Sequence, residues 1–137
     1  MNKNIHTFIG CEAEYEESKI VIFGAPFDST TSYRPGTRFA SSAIRNESYG
    51  VETYSPYQDK DLLDYMVFDG GDLELPFGSP ERALAMIEAY AGKLLDDKKL
   101  PLMIGGEHLV TLGMVRSAVA MYPNLHILHF DAHADLR

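Results

Sequence analysis

The sequence predicts a parallel α/β sheet with helices on both faces, and three observations carry that expectation. Short apolar runs alternate with helical patterns along the chain. The runs are continuously apolar rather than alternating, as strands covered on both sides require. Each run ends at glycine or aspartate, where a strand gives way to a loop. The order reads strand, loop, helix, strand, helix, strand, helix, strand.

The first strand is Lys19-Ile20-Val21-Ile22-Phe23-Gly24, followed by the loop Asp28 to Thr37 and a helix near Ala40 to Asn46. A weaker strand, Tyr65-Met66-Val67-Phe68, closes on Asp69-Gly70-Gly71-Asp72. Ser79 before Pro80 reads as an N-cap with proline at the first helical position. From there Ala83, Leu84, Ile87, Tyr90, Ala91, Leu94 and Leu95 repeat at helical spacing to about Asp97. Leu100 to Ile104 is the next strand, ended by Gly105-Gly106. A helix from Leu109 to about Tyr122 should turn Leu112, Val115 and Val119 to the sheet, and Pro123-Asn124 ends it. Leu125-His126-Ile127-Leu128-His129-Phe130 is the last strand.

Length and composition bound the rest. A chain of 137 residues fits one domain at about 150 residues each. With 45% hydrophobic and 11% aromatic residues it can bury a core, which excludes intrinsic disorder. Twelve basic against 20 acidic residues leave a formal charge of −8, which opposes a nucleic-acid partner. No apolar run approaches the ~20 residues of a membrane span, and Met1 to His6 lacks a signal segment, so a cytoplasmic protein without a membrane partner is expected. The single cysteine, Cys11, has no partner for an internal disulfide and lies beside an acidic run that raises a thiol pKa, so it reads as idle.

Open α/β sheets place their chemistry in loops at the carboxyl ends of the strands. That rule singles out Ala25 to Gly36, Asp69 to Asp72, Gly105 to His108 and Asp131 to Asp135. In Asp131-Ala132-His133-Ala134-Asp135 a carboxylate, an imidazole and a carboxylate alternate, with small alanines between them. In extended backbone their Cα atoms stand roughly 6.6 Å apart, so neighbouring side chains reach one metal or two close metals. Mixed oxygen and imidazole donors without thiolate suit Mn²⁺, Zn²⁺ or Fe²⁺. A solvated acidic turn, with His133 at the surface, is the plainer alternative. Gly105-Gly106-Glu107-His108 opens a helix, so His108 either faces the same crevice or caps that helix. Neither a dinucleotide loop nor a P-loop pattern is present. Glu107 either orients His108 or favours a helix amino terminus. His129 shares parity with Asp131 and either backs a ligand or packs in the core. Asp28, Tyr33 and Arg34 are candidates for a pocket mouth, whereas Arg34, Arg38 and Arg45 equally suit structural ion pairs. Asp69 and Asp72 are a second acidic pair, more readily a turn.

At this point the residues resemble a family. Gly-Gly-Glu-His at 105 to 108 and Asp-Ala-His-Ala-Asp at 131 to 135 resemble the first two manganese-binding signatures of the ureohydrolase (arginase/agmatinase) family. Gly24-Ala25-Pro26-Phe27-Asp28, Ser32 to Arg38, and Ala43-Ile44-Arg45 resemble its amino-terminal signature, and the agmatinase branch is the nearest match. Leu136-Arg137 and the Tyr33 to Gly36 loop lean the same way.

The resemblance implies a three-layer αβα fold with a mainly parallel sheet, incomplete in this chain, and makes residues 1–137 the amino-terminal part of one domain. It implies that His108 and Asp135 bind one Mn²⁺, that His133 binds a second, and that Asp131 bridges them. The remaining ligands and the family's catalytic residues are expected beyond Arg137, so no catalytic residue is assigned here and these residues alone are expected to be inactive. The implied reaction is manganese-dependent hydrolysis of a small cationic guanidino compound to urea and an amine, with agmatine to putrescine, in polyamine biosynthesis, the first choice. A homo-oligomer, trimer or hexamer, is implied as well. Alternatives are an arginase or another amidino hydrolase of the family, a metal-dependent deacetylase of related fold, a dinuclear phosphatase, or a non-catalytic metal-binding module.

Overall fold

The structure is a computed structural model that describes Met1 and residues 4–135, so Leu136 and Arg137 of the sequence comparison lie outside the described residues. Three strands form a parallel sheet: β1 (Ile20–Ala25), β4 (Val67–Asp72) and β5 (Leu100–Gly105), in the order β4-β1-β5. The helices α1 (Ala40–Ser48), α2 (Pro80–Asp96) and α3 (Thr111–Met121) link and cover them, and β2 (Tyr54–Ser55) with β3 (Lys60–Asp61) makes a small antiparallel hairpin.

The central place of β1 explains its unbroken hydrophobicity. Its odd residues face one helical layer: Val21 and Phe23 pack with Phe68 and Leu94, and Ala25 packs with Ala83, Ile87 and Val110. On the opposite face Ile22 packs with Phe8, Cys11 and Val67, and α1 lies there too, with Ser41 against Gly24. Both faces of β1 are therefore covered, one by apolar residues alone and the other with Ser41 and Asp72 beside Gly24. Along α2 the buried residues are Ala83, Leu84, Ile87, Ala91 and Leu94, the expected stripe. Ser79 is the N-cap residue with Pro80 behind it, but its side chain makes no capping bond; only its carbonyl accepts, from the Ala83 N–H.

Three sequence expectations need correction. The strand expected over Tyr65 to Phe68 runs instead from Val67 through Asp72, because a bulge at Gly70-Gly71 lets the pairing with β1 continue from Ile22–Asp69 to Gly24–Asp72. Gly71 takes φ 72 there, a conformation that glycine adopts without strain. In α3 the buried positions are Gly113 and Ser117, while Leu112 and Val119 are exposed. Gly113 packs against Ile87 of α2 so closely that a side chain would intrude on it, and the small-residue face wins the interface. Finally, Leu125 to Phe130 forms no strand: no neighbouring strand among the described residues satisfies its backbone, and Ile127, Leu128 and Phe130 are exposed. No helix of the described residues is long and apolar enough to cross a membrane.

Candidate metal centre

The site is built on the carboxyl end of β5. The chain turns sharply through Gly105 and Gly106, where the Gly106 N–H donates to the Ala25 carbonyl (3.1 Å) and the Glu107 N–H to the Phe27 carbonyl (2.8 Å). A Cβ on Gly106 would overlap the Phe27 backbone, so only glycine lets β5 pass this close to the loop leaving β1. A single 3-10 turn, His108–Val110, follows and leads into α3.

The His108 side chain emerges from that turn 74% exposed and meets the acidic segment after residue 130. Its Nδ1 lies 2.7 Å from Asp135 Oδ2 and its Nε2 lies 3.6 Å from Asp131 Oδ2. One donor atom from each of His108, Asp131 and Asp135 falls within 4.8 Å of the other two. His133 is not part of this three-donor group: it stands on the other side of Asp131, where its N–H donates to Asp131 Oδ1 (2.8 Å) and its Nδ1 lies 3.4 Å from the same oxygen. His129 Nε2 is 3.7 Å from Asp131 Oδ2, and its side chain is half-exposed rather than packed in a core. Asp131 thus offers one oxygen towards His108 and His129 and the other towards His133.

The hydrogen bond and charge of Asp135 raise the His108 pKa; burial opposes them, and Asp131 adds a smaller contribution in the same direction. The His133 N–H lowers the Asp131 pKa; burial opposes, and the imidazoles of His108, His129 and His133 add to the lowering. An anionic carboxylate between imidazoles, a second carboxylate and no thiolate is the donor chemistry of Mn²⁺ and similar borderline or hard divalent ions, so the residues present fit such a metal.

The neighbouring residues have other work. Glu107 is buried and accepts from the Thr30 N–H (3.1 Å) and hydroxyl (2.5 Å), not from the start of a helix. Asp28 accepts from the Gly36 N–H (2.6 Å) and Arg38 N–H (3.2 Å), and Arg38 Nε lies 2.7 Å from its other oxygen, off-line for a hydrogen bond. Burial resists ionisation of Asp28, but these backbone N–H groups and the Arg38 guanidinium hold its carboxyl below the usual range. Asp69 and Asp72 both bind Arg45, with Asp69 also accepting from the Phe8 and Gly71 N–H groups. The second acidic pair is therefore structural. Tyr33 is exposed, and Arg34 stacks on its ring. Cys11 is buried and its thiol is pushed up to about 11, by burial first and then by Asp69 and Glu12, as befits an idle thiol.

The model of the arginase family matches residues 18–137. An agmatinase of Halalkalibacterium halodurans is 52% identical over 130 residues, which are 95% of this chain and 45% of that protein. A candidate agmatinase structure from Clostridium difficile superposes with a TM-score of 0.88 at 53% identity, over 90% of this chain and 45% of that one. The proclavaminate amidino hydrolase of Streptomyces clavuligerus gives 0.85 at 32% identity, over 96% and 45%. The chain therefore spans about half the length of the relatives it matches. With the Gly105 to His108 and Asp131 to Asp135 motifs inside a match that begins before β1 and takes in the whole sheet, the chain belongs to the arginase family.

Proposed function

We propose that the protein is a manganese-dependent ureohydrolase that cleaves agmatine to urea and putrescine, and that this chain carries part of its metal centre. The observation that carries the reading is the convergence of His108, just after the end of β5, with Asp131 and Asp135 of a separate motif, to within 4.8 Å. The likeness to agmatinases at about half identity supports the choice of substrate. His108, Asp135 and Asp131 would hold one Mn²⁺, and His133, on the far oxygen of Asp131, would serve a second. Metal ions so held supply Lewis-acid activation of water at neutral pH. Asp131 presents its two oxygens to opposite imidazoles, and the His133 N–H fixes that orientation. Asp135 fixes the ring of His108. Three donors leave coordination positions open on a six-coordinate ion, and ligands beyond Arg137 fill them in this reading. A formal charge of −8 favours the approach of a cationic guanidino substrate. Putrescine formation would place the protein in polyamine biosynthesis, and the proposal includes a cytoplasmic location and a homo-oligomeric state.

The experiment is urea release from agmatine and from arginine, with Mn²⁺ added, by the protein at the length of its relatives. Urea from agmatine but not arginine, lost by at least about 100-fold in His133→Ala, is the expected result. Mn²⁺ uptake without urea from either substrate overturns the activity, and urea from arginine alone reassigns the substrate.

A further inference from the structure

We infer that Glu107 is a positioning residue, whose buried carboxylate clamps Thr30 and thereby fixes the loop leaving β1 to the turn that presents His108. The inference rests on the metal-centre reading above and adds to it a residue that is not a ligand.

A carboxylate that merely favoured a helix amino terminus would be served equally well in solvent. Glu107 is instead buried, and among the described residues it has no cationic partner. Burying a carboxylate is costly unless its oxygens are satisfied, and here each oxygen takes a separate donor of one residue, the Thr30 N–H and the Thr30 hydroxyl. Two backbone bonds run beside them, Gly106 N–H to Ala25 and Glu107 N–H to Phe27, so four bonds stitch Gly106 and Glu107 to the end of β1 and the loop that leaves it. The far end of the loop is held independently, by Asp28 on the Gly36 and Arg38 N–H groups.

The position of His108 depends on this stitch. Its side chain is 74% exposed, and its hydrogen-bond and ion-pair partners among the described residues are the carboxylates of Asp131 and Asp135. An exposed ligand is as well placed as the backbone that carries it, and that backbone begins at the residue after Glu107. The same clamp sets the exposed pair Tyr33 and Arg34, three and four residues beyond Thr30, in a fixed relation to His108.

Thr30 is itself exposed, so Thr30→Val removes one bond and leaves the core untouched. The test is a Mn²⁺ titration, read by the electron paramagnetic resonance of the free ion, on the full-length protein, Thr30→Val, Glu107→Gln and the double variant, with thermal melting recorded for each. Each single variant is expected to bind Mn²⁺ about 10-fold more weakly, in the range seen when partners behind a ligand are removed. The double variant should be no weaker than the worse single, because both changes cut the same link. Unchanged Mn²⁺ affinity, with or without a lowered melting temperature, overturns the inference and leaves the metal centre standing. Independent, multiplying losses overturn it too. A parent protein that takes up no Mn²⁺ overturns the metal-centre reading and the inference with it. If Glu107→Gln does not fold, the affinity of Thr30→Val decides.

Discussion

Arg45 shows how much of this molecule rests on single side chains. It is 3% exposed, and its guanidinium forks onto Asp69 through Nε (2.9 Å) and Nη2 (3.0 Å) while Nη1 reaches Asp72 at 2.5 Å. Burial works against its charge, but the bonds and charges of Asp69 and Asp72 outweigh burial and raise its pKa further. The bulge in β4 is what lets one guanidinium hold both acids: three residues apart in a regular strand they would face opposite sides of the sheet. Arg45→Ala would strand Asp69 as a buried charge, and breaking a buried pair from one side costs about 3–5 kcal/mol. Arg45→Lys should recover only part of this, because one ammonium cannot fork. Denaturant unfolding measures both, and a loss under about 1 kcal/mol for the alanine variant would show that the network is dispensable. The sequence left structural ion pairs open for Arg34, Arg38 and Arg45 without naming partners; Arg38 and Arg45 make them, with Asp28 and with Asp69 and Asp72, whereas Arg34 lies over the Tyr33 ring. Asp69-Gly70-Gly71-Asp72 reads as a turn, and nothing local says that its glycines make a bulge. The candidate donors were more legible, since His108, Asp131 and Asp135 sit in short motifs at chain positions where a strand is expected to end. His133 stands outside their cluster, with its imidazole 3.4 Å from Asp131 Oδ1.

Among the elements, legibility follows how much of an element's environment is repeated in its own pattern. β1 is covered on both faces, and its run of apolar residues says so. α2 packs along one stripe, and helical periodicity finds it. α3 fails the same reasoning, because the face it buries is its small one. Gly113 and Ser117, four residues apart, let α3 approach α2 closely, and the Ser117 hydroxyl closes the contact by donating to the Glu88 carbonyl at 2.6 Å. Larger apolar residues at 112 and 119 are left outside, so hydrophobicity alone points to the wrong side. Gly113→Ala checks this packing: the added Cβ would come within 2.8 Å of Ile87 Cγ2. Overpacking of that kind costs about 1–3 kcal/mol, against roughly 1 kcal/mol returned by alanine's better helix propensity. A net fall in melting temperature is expected, whereas Val119→Ala, on the exposed side, should leave it within about 2 °C. The reverse order would return α3 to the orientation read from its sequence.

For the molecule as a whole, the sheet has β4 and β5 as its two outer strands. β1 is paired along both edges, whereas β5 is an outer strand with Leu100 and Leu102 exposed, and the apolar run Leu125 to Phe130 lies unpaired and exposed as well. Soluble proteins rarely leave so many large apolar residues in water unless another surface meets them. The relatives matched here are about twice as long, which leaves ample chain to supply that surface. The strand reading of Leu125 to Phe130 therefore has a physical route to being right in the longer protein: its side chains already have the composition of a strand buried on both faces, and what it lacks is a neighbour to take its N–H and C=O groups. Hydrogen exchange on the full-length protein decides the matter. Amides of His126 to Phe130 are expected to exchange as slowly as those of Val21 to Ala25 in the centre of the sheet, and at least about 100-fold more slowly than those of the exposed Ser32 to Arg34 stretch, a difference of roughly 2.7 kcal/mol in opening free energy. Exchange at the rate of that loop would mean that the segment stays irregular at full length, and that Asp131 to Asp135 is carried to His108 on a flexible tether and not on the end of a strand.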